Sequence, residues 1–152
     1  MNADDLAELY QQVILDHSKR PRNFGDLADA IHVHGDNPSC GDEITLHVKF
    51  GANGNVDDVK FSGVGCAISQ ASASLMTMKL KGKPRAEAER LMRSFQQLVT
   101  TETEPDTKGL GDLILLRGVR KFPQRVKCAT LAWRAFEQAL GEADGSVTTE
   151  QL

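Results

Sequence analysis

Three short runs in which apolar and polar residues alternate constrain this chain more than any other feature of it. Ile31, Val33 and Gly35 alternate with His32, His34 and Asp36. Ile44, Leu46, Val48 and Phe50 alternate with Glu43, Thr45, His47 and Lys49, and Val59, Phe61 and Gly63 alternate with Asp58, Lys60 and Ser62. A period of two is extended chain with one buried and one wet face, the habit of an antiparallel rather than a parallel sheet. The segment Gly51-Ala52-Asn53-Gly54-Asn55 is hairpin-turn chemistry between the second and third runs. His32, His34 and His47 fall on the wet side of the pattern.

The flanks carry a helical period instead. Leu6, Leu9, Tyr10, Val13, Ile14 and His17 recur at three and four, so a helix is expected from Asp4 to about Lys19, ended by Pro21. For His17 the spacing implies a solvated or packed helix residue. Beyond the strands, a run rich in small residues from Ala67 to about Lys81 reads as a second helix, stopped by Gly82. Ala86 to Leu98 reads as a third, Leu110 to Leu116 as a short one, and Ala129, Ala132, Trp133, Phe136 and Leu140 mark the buried stripe of a last helix near Pro123. Thr100 to Gly109 is an acidic, Thr-rich stretch with the composition of a mobile loop. Helix, three strands, then helices predicts an α+β fold of two layers: a small three-stranded antiparallel sheet with the helices packed on one face. At 152 residues one domain is expected, spanning 1–141, with 142–152 as a frayed tail.

Composition narrows the function. Lysine and arginine number 18 against 21 acids, a net charge of −3, which leaves no electrostatic footprint for nucleic acid. No apolar run approaches the ~20 residues that span a bilayer, and the first ten residues are acidic and polar, so a cytoplasmic protein is expected. Three cysteines, an odd number, argue in a reducing compartment for metal or thiol chemistry over a disulfide framework.

Those cysteines stand in telling places. Asn37-Pro38-Ser39-Cys40-Gly41-Asp42 sets a thiol and a carboxylate two positions apart just before a strand, where both side chains point the same way. Gly41 between them adds no side chain. The remaining thiols, Cys66 and Cys128, lie far along the chain. Gly65-Cys66 falls where a strand gives way to a helix, whose free N–H groups favour a thiolate, and Cys128 follows Arg125 and Lys127. Cys40, Asp42, Cys66 and Cys128 together make three thiols and one carboxylate, the four ligands of a closed tetrahedral zinc site. Arg125 is a candidate docking or site-flanking charge.

The assembled motifs resemble the SufU branch of the IscU/NifU-like family of iron–sulfur assembly proteins. Asn37 to Asp42 is similar to the family's first cysteine motif. Gly65-Cys66-Ala67-Ile68-Ser69 with Ala71 to Ser74 is similar to its second, and Lys127-Cys128-Ala129-Thr130-Leu131-Ala132-Trp133 to its third. Asp16-His17 and Pro21-Arg22-Asn23 extend the likeness, which covers nearly the whole chain up to Leu140. Scaffold members carry a histidine directly before the last cysteine, where this chain has Lys127. The 62 positions from Cys66 to Cys128 also exceed the scaffold spacing, and Phe122-Pro123-Gln124 lacks the scaffolds' double-proline chaperone motif.

The resemblance therefore implies a zinc-dependent sulfurtransferase that accepts persulfide sulfur on Cys40 from a SufS-type cysteine desulfurase and feeds iron–sulfur cluster assembly, with a downstream Suf assembly scaffold as a further partner. It implies that docking frees Cys40 as a partner histidine takes its place. The alternative is an IscU-like scaffold that would hold an iron–sulfur cluster or iron with the same four side chains.

Overall fold

The computed structural model describes residues 3–101 and 104–149, with side chains from residue 7 onward. Helix α1 (Ala3–Lys19) leads into strands β1 (Ile31–Asn37), β2 (Asp42–Phe50) and β3 (Val56–Val64), then α2 (Ala67–Leu80), α3 (Arg85–Thr100), a 3-10 segment (Gly111–Lys121), α4 (Pro123–Ala139) and β4 (Gly145–Thr148). The expected Leu6 contact, Glu102 and Thr103 of the acidic loop, and the last three residues lie outside the described residues.

The α+β class holds, but the sheet differs from the expected three antiparallel strands. It has four, in the order β3-β2-β1-β4. Pairs β1–β2 and β2–β3 are antiparallel, and β4 joins β1 in parallel, with Gly35 opposite Val147 and Asp36 opposite Thr148. The added strand comes from the segment expected to be tail. It holds only four residues, Gly145–Thr148, too few for a period of two to stand out from a Gly- and Thr-containing coil.

Alternation decides which face is covered. Val33, Ile44, Leu46, Val48, Val59 and Phe61 are fully buried. Helix α4 lies against β1, β2 and β4, and α2 against β3, while α1 packs on α2 and α3 packs on α4 and the 3-10 segment. Helix α2 is thus enclosed, and its small side chains allow it. Ser69 to Thr77 is buried throughout. Several polar atoms that this enclosure buries find partners, whereas Ser69 Oγ and Gln70 Nε2 have none among the described residues. Ser72 Oγ donates to the Ala129 carbonyl at 2.6 Å and accepts from Trp133 Nε1 at 3.2 Å, and Trp133 stacks on Phe95 with ring centroids 4.6 Å apart. His17, buried, shares a 2.7 Å hydrogen bond with Ser74 Oγ, which also accepts the Arg22 backbone N–H at 2.8 Å. That pair pins the turn after α1 to α2.

One expectation needs correcting here. His47 sits on the outer face of the sheet yet is only 5% exposed. The loop after Gly25 folds over it, bringing Asp26 Oδ1 to 3.4 Å, and the His32 ring leans on it edge-on at 4.6 Å. In the acidic loop, Asp106 pairs with Arg90 at 3.2 Å and Glu104 with Arg117, both as partly exposed ion pairs.

Candidate metal centre

The end of the β1–β2 hairpin builds the centre. Asn37 and Asp42 are the last register pair of that ladder, both buried, and the turn between them carries Cys40 out to solvent. The Cys40 N–H returns to the Asn37 carbonyl at 3.2 Å, and Gly41 follows at φ +70°, a left-handed position that a residue without Cβ takes without strain. Cys66 is the N-cap of α2, its sulfur accepting the Ser69 N–H at 3.4 Å. Cys128 lies inside α4 and is buried.

These elements converge. The ligand atoms of Cys40, Asp42 and Cys128 all lie within 4.8 Å of one another, the Cys40 and Cys128 sulfurs being 3.2 Å apart. Cys66 falls outside that close group, although its Sγ is 3.9 Å from Asp42 Oδ2. With bonds of about 2.3 Å to sulfur and 2.0 Å to oxygen, ligands around a tetrahedral zinc ion sit about 3.5–3.8 Å from each other. Two sulfurs and one carboxylate oxygen at this spacing are a donor set that zinc fits, with Cys66 beside the carboxylate as the candidate fourth donor. The carboxylate is held in place: Asp42 Oδ1 accepts the Cys66 N–H at 2.7 Å, and Asn37 Nδ2 donates to Oδ2 at 3.1 Å. Gly65 leaves the room it needs, because a Cβ there would stand 2.8 Å from Asp42 Oδ1.

The thiols are not equivalent. The hydrogen bond from Cys128 lowers the Cys66 pKa to about 7 against the opposing effect of burial, and the N–H groups at the start of α2 act in the same direction. Cys128 shifts the other way, upward, because it is the donor to Cys66 and is buried. The flanking Arg125 and Lys127 do not bring it to the thiolate form, as their sequence positions suggested. It lies past the first turn of α4, where the free N–H groups of a helix start are out of reach.

Arg125 is exposed, its guanidinium 4.7 Å from the centroid of the Phe122 ring. It lines a groove of about 370 Å³ with Tyr10, Ile14, Leu15 and Ile68, two residues from Cys66. Burial raises the Tyr10 pKa in this groove, opposed by the Arg125 charge.

The model of the NifU-like N-terminal domain matches residues 9–142 of the chain. The chain belongs to the NifU-like N-terminal domain family. This NifU-like domain is 46% identical over 141 residues to the zinc-dependent sulfurtransferase SufU of Bacillus subtilis, covering 93% of the chain and 95% of the relative. It is also 46% identical over 140 residues to the iron–sulfur cluster assembly scaffold protein IscU of Streptococcus pyogenes, covering 92% of the chain and 87% of the relative. A crystal structure titled as an iron–sulfur cluster assembly scaffold protein for the SUF system of Fervidobacterium islandicum superposes with a TM-score of 0.80 at 39% identity, over 88% of this chain and 97% of that one. Among the described residues of the domain, no helix is long and apolar enough to cross a membrane.

Two residues of the NifU-like centre escaped the sequence reading. In the sequence Asn37 stands only as the opening residue of the first cysteine motif, although Val33, Gly35 and Asn37 share the inward phase of β1 and so turn its amide to the core. Thr149, buried, donates to Asn37 Oδ1 at 2.9 Å. No signal in the sequence marks it, because its place depends on β4 pairing with β1.

Proposed function

We propose that the protein is a zinc-dependent sulfurtransferase that accepts sulfur on Cys40 from the persulfide of a SufS-type cysteine desulfurase and passes it to iron–sulfur cluster assembly. The observation that carries this reading is the unequal exposure of three clustered thiols: Cys40 is exposed, Cys66 half-buried and Cys128 buried. A persulfide presented by another protein meets Cys40 first. Cys40 also sits on a turn, whereas Cys66 caps a helix and Cys128 lies within one, so the reachable thiol is also the one free to swing.

Cys40, Asp42, Cys66 and Cys128 are the residues that would hold zinc. Bound there, zinc keeps its thiol ligands deprotonated while bringing no redox chemistry of its own. The Cys40 thiolate attacks the outer sulfur of the desulfurase persulfide. A bond forms from Cys40 Sγ to that sulfur as the persulfide S–S bond breaks, and the desulfurase cysteine leaves as a thiolate with the electron pair, so no outside oxidant or reductant is needed. Arg125, exposed beside the groove next to Cys66, supplies the docking charge.

Desulfurase and cysteine should add one sulfur atom, about 32 Da, to the Cys40 peptide, and Cys40→Ala should abolish both that mass and the gain in desulfurase turnover. A Cys40→Ala variant that still raises turnover would reduce the protein to a binding module. The second reading, a scaffold for an iron–sulfur cluster, is supported by the Streptococcus relative and uses the same donors. Protein purified without oxygen separates the two: about one zinc per chain and no colour for the acceptor, a brown protein for the scaffold.

A further inference from the structure

We infer that Asn37, locked by Thr149, is a positioning residue of the metal centre, and that strand β4 thereby sets how tightly the centre holds its ion. The inference rests on the metal-binding part of the reading above. Asn37 is fully buried at the end of β1, and its side chain uses both ends of its amide. Nδ2 donates to Asp42 Oδ2 at 3.1 Å and to Cys128 Sγ at 3.5 Å, while Oδ1 accepts from Thr149 Oγ1 at 2.9 Å.

The amide's orientation follows from its neighbours' chemistry. An ionised carboxylate only accepts, so the NH₂ end must face Asp42, and the carbonyl end then requires a donor on the far side. Thr149, 2% exposed, is that donor. Asp42 Oδ1 is already taken by the Cys66 N–H, so Asn37 fixes the second oxygen and with it the direction of the remaining lone pairs toward the sulfurs. The same NH₂ group reaches Cys128, where a hydrogen bond to sulfur favours the thiolate over the thiol. One side chain thus sets the aim of two candidate ligands, as partners behind metal ligands generally do.

What holds that side chain is the C-terminal strand. Gly35 pairs with Val147 and Asp36 with Thr148, and Thr149, the residue just past the end of that ladder, reaches the Asn37 side chain. Val147 packs against the core and 3.3 Å from where a Cβ on Gly35 would stand, keeping β4 close against β1. Loosening β4 would free the Thr149 hydroxyl and let the amide turn.

The test compares Thr149→Val, which keeps the shape and removes the donor, with Thr149→Ser, which keeps the donor. Zinc affinity is measured by competition with a chromophoric chelator, and the cobalt(II)-substituted proteins are compared in their thiolate-to-metal charge-transfer band. Thr149→Val should weaken zinc binding about ten-fold and shift the cobalt band, Thr149→Ser should restore both, and Asn37→Ala should lose up to about 100-fold. Wild-type affinity and spectrum in Thr149→Val, or equal losses in the two Thr149 variants, would overturn the inference. These variants decide the matter even if Asn37→Ala fails to fold. A wild-type protein that binds no zinc would sink the metal reading as well, whereas tight wild-type binding unaffected by Thr149→Val would sink this inference alone.

Discussion

Gly65 shows how a single hydrogen atom in place of a methyl group can matter to a metal centre. Its Cβ would meet Asp42 Oδ1 at 2.8 Å and Asp42 Cγ at 3.3 Å, so Gly65→Ala should push the carboxylate off the Cys66 N–H without entering the core. Zinc affinity should fall about ten-fold by chelator competition, with the unfolding midpoint nearly unchanged. An unaltered affinity would mean that the carboxylate's aim is immaterial. At this scale much of the centre was legible in advance. Cys66 at a strand-to-helix junction had to meet free N–H groups, whereas Cys40 and Asp42 are not aligned by strand alternation: only Asp42 lies in β2, and Cys40 stands in the turn before a left-handed Gly41. What could not be read was the pairing of protons among thiols. That depends on which sulfur ends up deepest, and the Cys128 pKa, despite two basic residues nearby in the chain, is shifted upward by the neighbouring Cys66 and by burial.

Among the elements, α1 and α2 are joined by a titratable pin. Burial is the main cause that lowers the His17 pKa, the Arg22 charge adds to it, and Asp16 and Asp112 oppose it in part. The folded value lies below the ordinary histidine value of about 6.5, so below that pH the unfolded chain binds more protons and stability declines as pH falls toward the folded pKa. His47 is shifted the same way, by burial first. Chemical denaturation should therefore show stability dropping between about pH 7.5 and 5.5, the range set by that reference value. His17→Gln should lose about 1–2 kcal/mol at the upper pH with its hydrogen bond to Ser74, and its pH profile should be flatter. A slope identical to wild type would place the proton elsewhere. The helices themselves were visible from the recurrence of apolar residues and from Pro21, Gly82 and Pro123. Strand β4 was not, because four residues of a parallel edge strand gain their identity from β1 and not from their own pattern.

The whole molecule should fold with the candidate metal centre empty. A core running from Phe61 and Leu46 through Ala73 to Trp133, Phe95 and Phe136 is fully buried and lies apart from the thiols. Chelation should leave the far-UV circular dichroism intact while lowering the melting temperature. Zinc at a thousand times its Kd adds about 4 kcal/mol, or roughly 8–16 °C for a domain of this size. Loss of secondary structure on chelation would instead make the ion a folding nucleus. The layered α+β architecture was legible because alternation and helical period are local properties; the stacking of α1 on α2, away from the sheet, depends on how small the residues from Ser69 to Ser74 are. Finally, one border of the sheet is occupied. On one side the sheet ends in β4, beyond β1. On the other, the backbone N–H of Val56 is bonded to Lys83, that of Val59 to Asp58 and that of Phe61 to Asn23, while Gly25 takes the Phe61 carbonyl. With those amides spoken for, strand addition at the β3 edge is discouraged. A protein that must keep three free thiols close together gains from this, since chains that do not stack seldom bring their sulfurs within reach of one another.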